Sequence, residues 1–264
     1  MTEHDVVIPA GGTIDAAYAQ ALGTPYRALA PLGPGGPPVL QHVIDTLRAT
    51  GSVRRVIIVA PEPVQQAISG VDRWLPAGAG GAENVLLGLA EAAPDAPCLV
   101  CTSDLPLLTA EAVASFLSQA RPDAGISVGL VRAEAYHREY PDAPPSEFVR
   151  LSDAGPVTLA GTFLVHPRLA VARRALFDKM FEARKAQWRM AGLLGPGLLF
   201  ALLTKTLSLG ALTRRTERLL GGPVQAVLDV PPALAYDIDT ADDYTYALHR
   251  LRPEPAAPVR QVAD

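Results

Sequence analysis

The chain has 264 residues, of which 49% are hydrophobic and 19% are charged, and its formal net charge is −4. This composition supplies the core of a large globular domain and excludes a mainly disordered chain. The acidic balance argues against a dedicated nucleic-acid binder, whose contact surface is normally basic. We expect no transmembrane segment, because the most apolar stretch, 191–212, contains Pro196, Lys205 and several glycines. No signal peptide precedes the first strand, which predicts a cytoplasmic protein.

The first predicted element is a strand at 5–9, which is followed at once by a glycine turn containing Gly11 and Gly12. Glycines at the carboxyl end of a strand allow backbone amides to approach a phosphate closely. The next segment, 13–38, is rich in Gly and Pro and is predicted to be a long loop of the functional or mobile kind. Arg27 is the cationic residue of this loop best placed to reach a phosphate.

Short apolar runs and amphipathic helical stripes then alternate along the chain, which predicts an α/β fold with a parallel sheet and right-handed crossovers. Further strands are expected at 55–60, 97–103, 124–131, 148–151, 157–165 and 224–230, and helices at 39–47, 82–93 and 110–119. The polar segment 132–147 is predicted to be a loop over the site.

We predict one domain over 1–251, interrupted by a helical insertion at about 168–222, and a disordered tail at 252–264. The insertion contains an arginine-rich helix at 169–190 and a second helix, Leu209–Leu220, between Ser208 and Gly221. It completes the core, binds an unusual acceptor or forms a homodimer contact; the first of these is the default interpretation.

Acidic residues follow two of the predicted strands. Asp104 ends the apolar run of the middle strand, at the edge where open α/β sheets bind ligands. Asp237 and Asp239 precede a helix that begins with the Thr240–Asp243 capping box, and they point the same way if that segment is extended. Asp104 and Asp239 together can hold one Mg²⁺, which takes one or two carboxylates and completes its shell with water and phosphate oxygens.

Two further glycine signals accompany these carboxylates. The turn 76–81 is rich in glycine and opens a helix whose first turn contains Asn84, an arrangement that suits close approach to a flat ligand such as a base. Gly161 and Thr162 interrupt a strand, where glycine often marks a bulge or a close backbone approach. We assign Gly161, Thr162 and Asp237 to the acceptor side of the site.

Four short motifs occur in an order that resembles a known family. They are Pro9-Ala10-Gly11-Gly12, Gly80-Gly81-Ala82-Glu83-Asn84, Thr102-Ser103-Asp104-Leu105-Pro106-Leu107 and Asp237-Ile238-Asp239-Thr240. The pattern is similar to that of the MobA-like nucleotidyltransferases, which include molybdenum-cofactor nucleotidyltransferases, methylerythritol-phosphate cytidylyltransferases and sugar-1-phosphate nucleotidyltransferases. The resemblance covers roughly residues 5–165 and 224–250.

The resemblance implies a three-layer, Rossmann-like fold of the glycosyltransferase-A type, with a mixed, mostly parallel sheet. It also implies a Mg²⁺-dependent enzyme that joins an NMP from an NTP to a small phosphorylated acceptor and releases pyrophosphate. The residues that it assigns to the nucleotide are Ala10, Gly11, Gly12, Gly80, Gly81 and Asn84. Asp104 and Asp239 would carry Mg²⁺, and Arg27 and Asp104 would be the catalytic pair.

The first loop departs from the family pattern. The family continues with a second glycine and an arginine, whereas this chain has Thr13-Ile14-Asp15-Ala16-Ala17, and Arg27 stands at or next to the position of a family lysine. Two alternatives therefore stay open. One is a non-catalytic nucleotide-binding module; the other is a nucleotide-sugar glycosyltransferase that uses Asp237 and Asp239 as a metal-binding Asp-x-Asp.

Overall fold

The computed structural model describes residues 2–183 and 195–252, and its strands form one mixed sheet. The strands are β1 (His4–Pro9), β2 (Val53–Ala60), β3 (Arg73–Pro76), β4 (Cys98–Cys101), β5 (Ile126–Arg132), β6 (Val149–Leu151), β7 (Gly155–Val165) and β8 (Val224–Leu228). Their order is β3-β2-β1-β4-β7-β5-β8, and β6 pairs with β7. Within the described ranges, β7 runs antiparallel to β4, β5 and β6, and all other pairs of neighbouring strands are parallel. The predicted mixed, mostly parallel sheet is therefore confirmed.

Helices cover both faces of this sheet. They are α1 (Ala16–Leu22), α2 (Val39–Ala49), α3 (Glu62–Ala67), α4 (Gly81–Glu91), α5 (Ala110–Gln119), α6 (Ala133–Glu139), α7 (Pro167–Ala172), α8 (Arg174–Ala183), α9 (Pro196–Leu203), α10 (Leu209–Leu220) and α11 (Ala241–Leu251). Short 3₁₀ turns occur at Arg27–Leu29 and Pro232–Leu234. None of these helices combines the length and the hydropathy that crossing a bilayer requires.

The first strand shows why the fold has three layers. Val6 and Ile8 are completely buried in the core cluster that contains the apolar residues of α2 and α5. Val7 is also completely buried, but it belongs to the cluster on the opposite face, with residues of α4. Successive side chains of a strand point to opposite faces, so a run that is apolar at every position requires cover on both sides.

Several helix starts follow directly from their capping residues. The side chains of Asp15, Thr109 and Ser208 each accept a hydrogen bond from a backbone amide in the first turn that follows. Thr240 and Asp243 form the predicted capping box at the start of α11. Caps of this kind contribute about 1 kcal/mol each. Helix α10 begins and ends as predicted, and Gly221, which follows it, has the left-handed conformation.

Two segments predicted to be loops contain helices. The segment 13–38 contains α1, which begins after Asp15 and ends at Gly23, whose φ is 72°. The segment 132–147 contains α6, whose Tyr136 is buried in the core. Both helices have seven residues, so the periodic apolar signal is too short to stand out from the surrounding Gly, Pro and polar residues.

The arginine-rich helix predicted at 169–190 is also different in the structure. The helix starts at Pro167, a residue type that favours the first helical turn, and Arg173 divides it into α7 and α8. The end of that predicted helix lies outside the described residues, as does the predicted tail at 252–264 apart from Arg252. The organisation as one domain with an insertion stays a prediction.

Candidate active site

Three carboxylates meet beyond the carboxyl end of β4. Asp104 follows this strand, and Asp237 and Asp239 precede α11; the backbone amide of Ile238 donates a hydrogen bond to the carbonyl oxygen of Asp104, at 3.3 Å. One carboxylate oxygen from each of the three aspartates lies within 4.8 Å of the others. The structure thus brings the two predicted metal ligands together, and it adds Asp237 to them.

Arg27 lies among these carboxylates. Its Nη1 donates a hydrogen bond to Oδ2 of Asp104 at 2.9 Å, and it also pairs with Oδ1 of Asp239. Burial alone would lower the pKa of Arg27, but the charges of Asp104 and Asp239 outweigh this effect and raise the pKa above its ordinary value. One guanidinium therefore faces three carboxyl groups, and when all three are ionised the cluster has two negative charges in excess.

Asp237 experiences this excess most strongly. Desolvation in the cleft, followed by the charges of Asp104 and Asp239, raises the pKa of Asp237 to about 7. The residue nevertheless keeps exposed surface, so water and ions reach its carboxylate. A carboxyl group that binds a proton this readily is one that a divalent cation would also stabilise.

Unsatisfied polar atoms concentrate at the same place. In the described part of the chain, four buried side-chain polar atoms have no hydrogen-bond partner: Nε of Arg27, Oγ1 of Thr102, Oδ1 of Asp104 and Oγ1 of Thr162. Buried polar groups almost always have partners, and each exception needs an explanation. Two of them, on Arg27 and Asp104, belong to the acidic cluster, as expected of a site that supplies hydrogen-bonding groups to a ligand, whereas Thr162 lies in the sheet opposite Cys101.

The first glycine turn lies against the start of α4. A Cβ atom on Gly11 would lie 2.6 Å from Nδ2 of Asn84, so glycine is required for this approach. Asn84 is buried, and its Oδ1 accepts a hydrogen bond from the amide of Gly78 at 2.7 Å. Gly80 directly precedes α4 and Gly81 begins it, so the residues assigned to the base and ribose stand beside those assigned to the triphosphate.

Ala10 and Gly12 have different surroundings within this turn. Ala10 is completely buried, and its amide donates to the carbonyl oxygen of Val59 at 2.8 Å. Its amide is therefore already used by the sheet, and its assignment to the nucleotide stays a prediction. Gly12 is exposed, and a Cβ atom placed on it would meet nothing within 4 Å.

The acceptor-side assignments divide in the same way. A Cβ atom on Gly161 would lie 2.6 Å from Oγ1 of Thr102, and the amide of Thr102 donates to the carbonyl oxygen of Gly161 at 2.9 Å. Gly161 thus marks the close backbone approach that its place in a strand predicts. Thr162 is completely buried opposite Cys101 in the sheet, and its assignment to the acceptor side stays a prediction.

Sequence reasoning missed two residues that support the site. The hydroxyl of Tyr18 in α1 donates to the carbonyl oxygen of Ile238 at 3.3 Å, which braces the segment between Asp237 and Asp239. Thr102 directs its unpaired hydroxyl toward Gly161. A helix recognised after Asp15 would have pointed to Tyr18, and Thr102 begins the motif that contains Asp104.

The donor set fits Mg²⁺. It consists of hard carboxylate oxygens, and Oδ1 of Asp104 has no other partner. Asp104, Asp237 and Asp239 would hold the ion. Arg27 already neutralises part of their charge, so a bound cation and the guanidinium would compete for the same oxygens.

The fold and this cleft define an α/β protein with a candidate ligand site at the carboxyl edge of a mostly parallel sheet, between a glycine turn and an acidic cluster. The family model described as the MobA-like NTP transferase domain matches residues 6–194. The chain belongs to this family of nucleotidyltransferases. A search of the curated proteins finds no match.

Solved structures show the same architecture. A hypothetical transferase from Thermus thermophilus is 27% identical, with a TM-score of 0.80, and the match covers 92% of this chain and all of that one. A 4-diphosphocytidyl-2C-methyl-D-erythritol synthase from Anaerococcus prevotii is 12% identical, with a TM-score of 0.56 and coverage of 95% and 98%. A nucleotidyl transferase from Methanothermobacter thermautotrophicus is 16% identical, with the same TM-score and coverage. The last two support the fold alone.

Proposed function

We propose that this protein is a Mg²⁺-dependent nucleotidyltransferase that transfers an NMP from an NTP to the phosphate of a small acceptor. The observation that carries the proposal is the convergence of Asp104, Asp237 and Asp239 beyond the carboxyl end of β4. Membership of a family of NTP transferases and a group of carboxylates that could hold Mg²⁺ both favour chemistry on a polyphosphate.

In the proposed reaction, an oxygen of the acceptor phosphate attacks the α-phosphorus of the NTP. The bond between the α-phosphorus and the oxygen that bridges to the β-phosphorus breaks, and pyrophosphate leaves with the electron pair. No covalent enzyme intermediate is required, because positioning and charge neutralisation are sufficient. Mg²⁺, when bound, would neutralise phosphate charge.

The chain's own residues have separate tasks in this proposal. Gly11 and Gly12 direct backbone amides to the triphosphate, while Gly80, Gly81 and Asn84 border the nucleoside. Arg27, released from at least one of its carboxylates, supplies a fixed positive charge to the phosphates. Gly161, which packs closely against Thr102, borders the acceptor.

A thermal-shift series with each of the four NTPs, with and without Mg²⁺, tests binding, and pyrophosphate release over a panel of phosphorylated acceptors tests turnover. We expect one NTP to stabilise the protein in a Mg²⁺-dependent way, and Asp104→Asn to remove that effect. Asp123→Asn is the matched control, because Asp123 is an exposed carboxylate paired with Arg121 outside the site. Equal behaviour of the two variants would contradict the proposal.

A non-catalytic nucleotide-binding module is the second candidate. It is favoured by the first loop, where α1 begins at Ala16, in place of the glycine and arginine of the family pattern. That candidate predicts nucleotide binding without turnover for every acceptor. Tighter binding of UDP- or GDP-sugars than of NTPs would instead favour a glycosyltransferase.

A further inference from the structure

The positive charge of this chain is concentrated in one part of the sequence. The segment 168–222 contains 11 of the 23 lysines and arginines, including all three lysines, but only three of the 27 acidic residues. The segment therefore has a formal net charge of +8, and the rest of the chain has −12. Within the described residues, Arg168 and Arg174 of this segment pair with Asp95 and Glu83, and the remaining positive charge favours an anionic partner.

The same segment exposes large apolar side chains. On α9, Phe200 is 68% exposed and Leu203 is 73% exposed. The other side of this helix is packed, because Leu198 and Leu202 contact the core cluster around Val157 of β7. The apolar side chains on the outward face of α9 therefore do not serve to pack the described core.

Arginines of the neighbouring helix lie along one side of α9. A shallow groove is lined by Gly197 and Leu198 of α9 and by Arg214 and Arg218 of α10. Because α9 has eight residues, its whole length is about 12 Å, and Phe200 and Leu203 lie within that axial distance of the groove.

The charges of these arginines are not neutralised within the described ranges. Arg214 and Arg218 are exposed and lie one turn apart on the same face of α10, and no ion pair involving either is present there. The nearby carboxylate of Glu217 accepts a hydrogen bond from the amide of Val224. Lys205, exposed after the end of α9, adds a further positive charge.

We propose that this surface, defined by Phe200, Leu203, Lys205, Arg214 and Arg218, docks on an anionic phospholipid bilayer. Exposed aromatic and aliphatic side chains beside arginines fit the boundary between acyl chains and phosphate headgroups. A nucleic acid would use the arginines but would leave the apolar face of α9 in water. The docking proposal is independent of the proposed catalytic function.

The position of the surface relates it to the active site. Thr162 of the antiparallel strand β7 is opposite Cys101, the last residue of β4. Residues of β7 before Thr162, including Val157 beneath α9, therefore lie at the edge of the sheet that carries Asp104. A bilayer bound through α9 would lie on the same edge as the candidate site.

Cosedimentation with lipid vesicles tests the proposal. We expect the full chain to bind vesicles of phosphatidylcholine with phosphatidylglycerol, to bind phosphatidylcholine alone weakly, and to dissociate as salt is raised. Each basic residue near an anionic surface contributes about fivefold in partitioning, so Arg214→Gln with Arg218→Gln should weaken binding by roughly 20-fold. Phe200→Ser with Leu203→Ser should weaken it by at least about tenfold, since two large apolar side chains are lost.

Matched controls are available elsewhere on the surface. Leu251→Ser removes an exposed apolar side chain, and Arg138→Gln removes an exposed arginine, both outside the segment; both should bind like the wild type. Circular dichroism establishes that each variant is folded. NTP thermal shifts test the proposed function separately from vesicle binding. Absence of binding to anionic vesicles, or binding that Phe200→Ser with Leu203→Ser leaves unchanged, would overturn the proposal. If Phe200→Ser with Leu203→Ser leaves vesicle binding unchanged and the protein binds a duplex nucleic acid as tightly as it binds vesicles, the segment is a general polyanion-binding surface.

Discussion

Two clusters of arginine and aspartate lie at opposite ends of the parallel strands, which we call the amino edge and the carboxyl edge of the sheet. At the amino edge, the buried carboxylate of Asp5 accepts hydrogen bonds from Arg54 at 2.7 Å, from Arg55 at 2.8 Å and from the amide of Ala93 at 3.0 Å. At the carboxyl edge, three carboxylates share Arg27, and Oδ1 of Asp104 has no partner.

The two clusters show how the same residue types serve different ends. Burial alone would raise the pKa of Asp5, but the hydrogen bonds from Arg55, Arg54 and Ala93 outweigh it and lower the pKa to about 2. Desolvation and neighbouring carboxylates instead raise the pKa of Asp237 to about 7. A saturated cluster stabilises the fold, whereas an unsaturated one keeps its capacity for a ligand.

The largest expected effect concerns Asp104. Asp104→Asn should lower the rate of NMP transfer by about 10²–10³-fold, the range typical for removing one electrostatic contact to a developing charge. The free energy of unfolding should change by less than about 1 kcal/mol, since the substitution also relieves repulsion among the carboxylates. Steady-state kinetics and urea denaturation measure the two quantities, and a large loss of stability would place Asp104 in the same class as Asp5.

The matching substitution in the amino-edge cluster is Asp5→Asn. It should lower the free energy of unfolding by about 3 kcal/mol, because it leaves two arginines without their buried partner. NTP binding by the folded protein should be unchanged. A variant as stable as the wild type in urea would show that the amino-edge cluster is dispensable.

The pH dependence of stability should have opposite signs for the two clusters in metal-free protein. The lowered pKa of Asp5 makes stability rise by about 2 kcal/mol as pH increases from about 2 to 4. The raised pKa of Asp237 means that the folded state retains a proton that the unfolded state has lost, so stability falls as pH increases from about 4 to 7.

Urea denaturation across this pH range separates the contributions. Asp5→Asn should reduce the rise at low pH by about 2 kcal/mol, and Asp237→Asn should reduce the fall above pH 4. If the free energy of unfolding of Asp237→Asn still falls as steeply above pH 4, the proton that the folded state retains is bound to another group.

Arg27→Gln has the smallest expected effect. It removes the cation that competes for Asp104 and Asp239, so the affinity for Mn²⁺ without nucleotide should rise about tenfold, as expected for one unit charge at close range in a partly solvated site. Arg54→Gln, at the amino edge, should leave this affinity unchanged. Isothermal titration calorimetry distinguishes the variants, and a lower affinity in Arg27→Gln would mean that the arginine supports the metal site.

Much of this arrangement could be predicted from the sequence. A buried apolar run that ends in Asp104 and a capping box after Asp239 are local signals, and the parallel sheet brings such ends to one edge. Both glycine turns are also visible in the sequence, but the contact between Gly11 and Asn84 depends on the order of the strands, because β2 lies between β1 and β3. The pairing of Arg27 with Asp104 and Asp239 depends on side-chain contacts between residues 77 and 212 positions apart, which no local pattern encodes.

Two assignments depend on tertiary contacts that the sequence alone does not give. Thr162 follows Gly161 in β7 and its side chain is completely buried, so its place on the acceptor side stays a prediction. Asp237 and Asp239 point the same way in an extended segment, and the structure adds Asp237 to the acidic cluster.

The most direct test of the central claim is a Mn²⁺ titration followed by electron paramagnetic resonance, on the wild type, Asp104→Asn and Asp5→Asn. We predict one bound ion in the wild type and in Asp5→Asn, and an affinity at least about tenfold lower in Asp104→Asn, because a directly coordinating carboxylate is lost. Equal Mn²⁺ affinity in all three proteins would contradict the account of the carboxyl-edge cluster as a metal site.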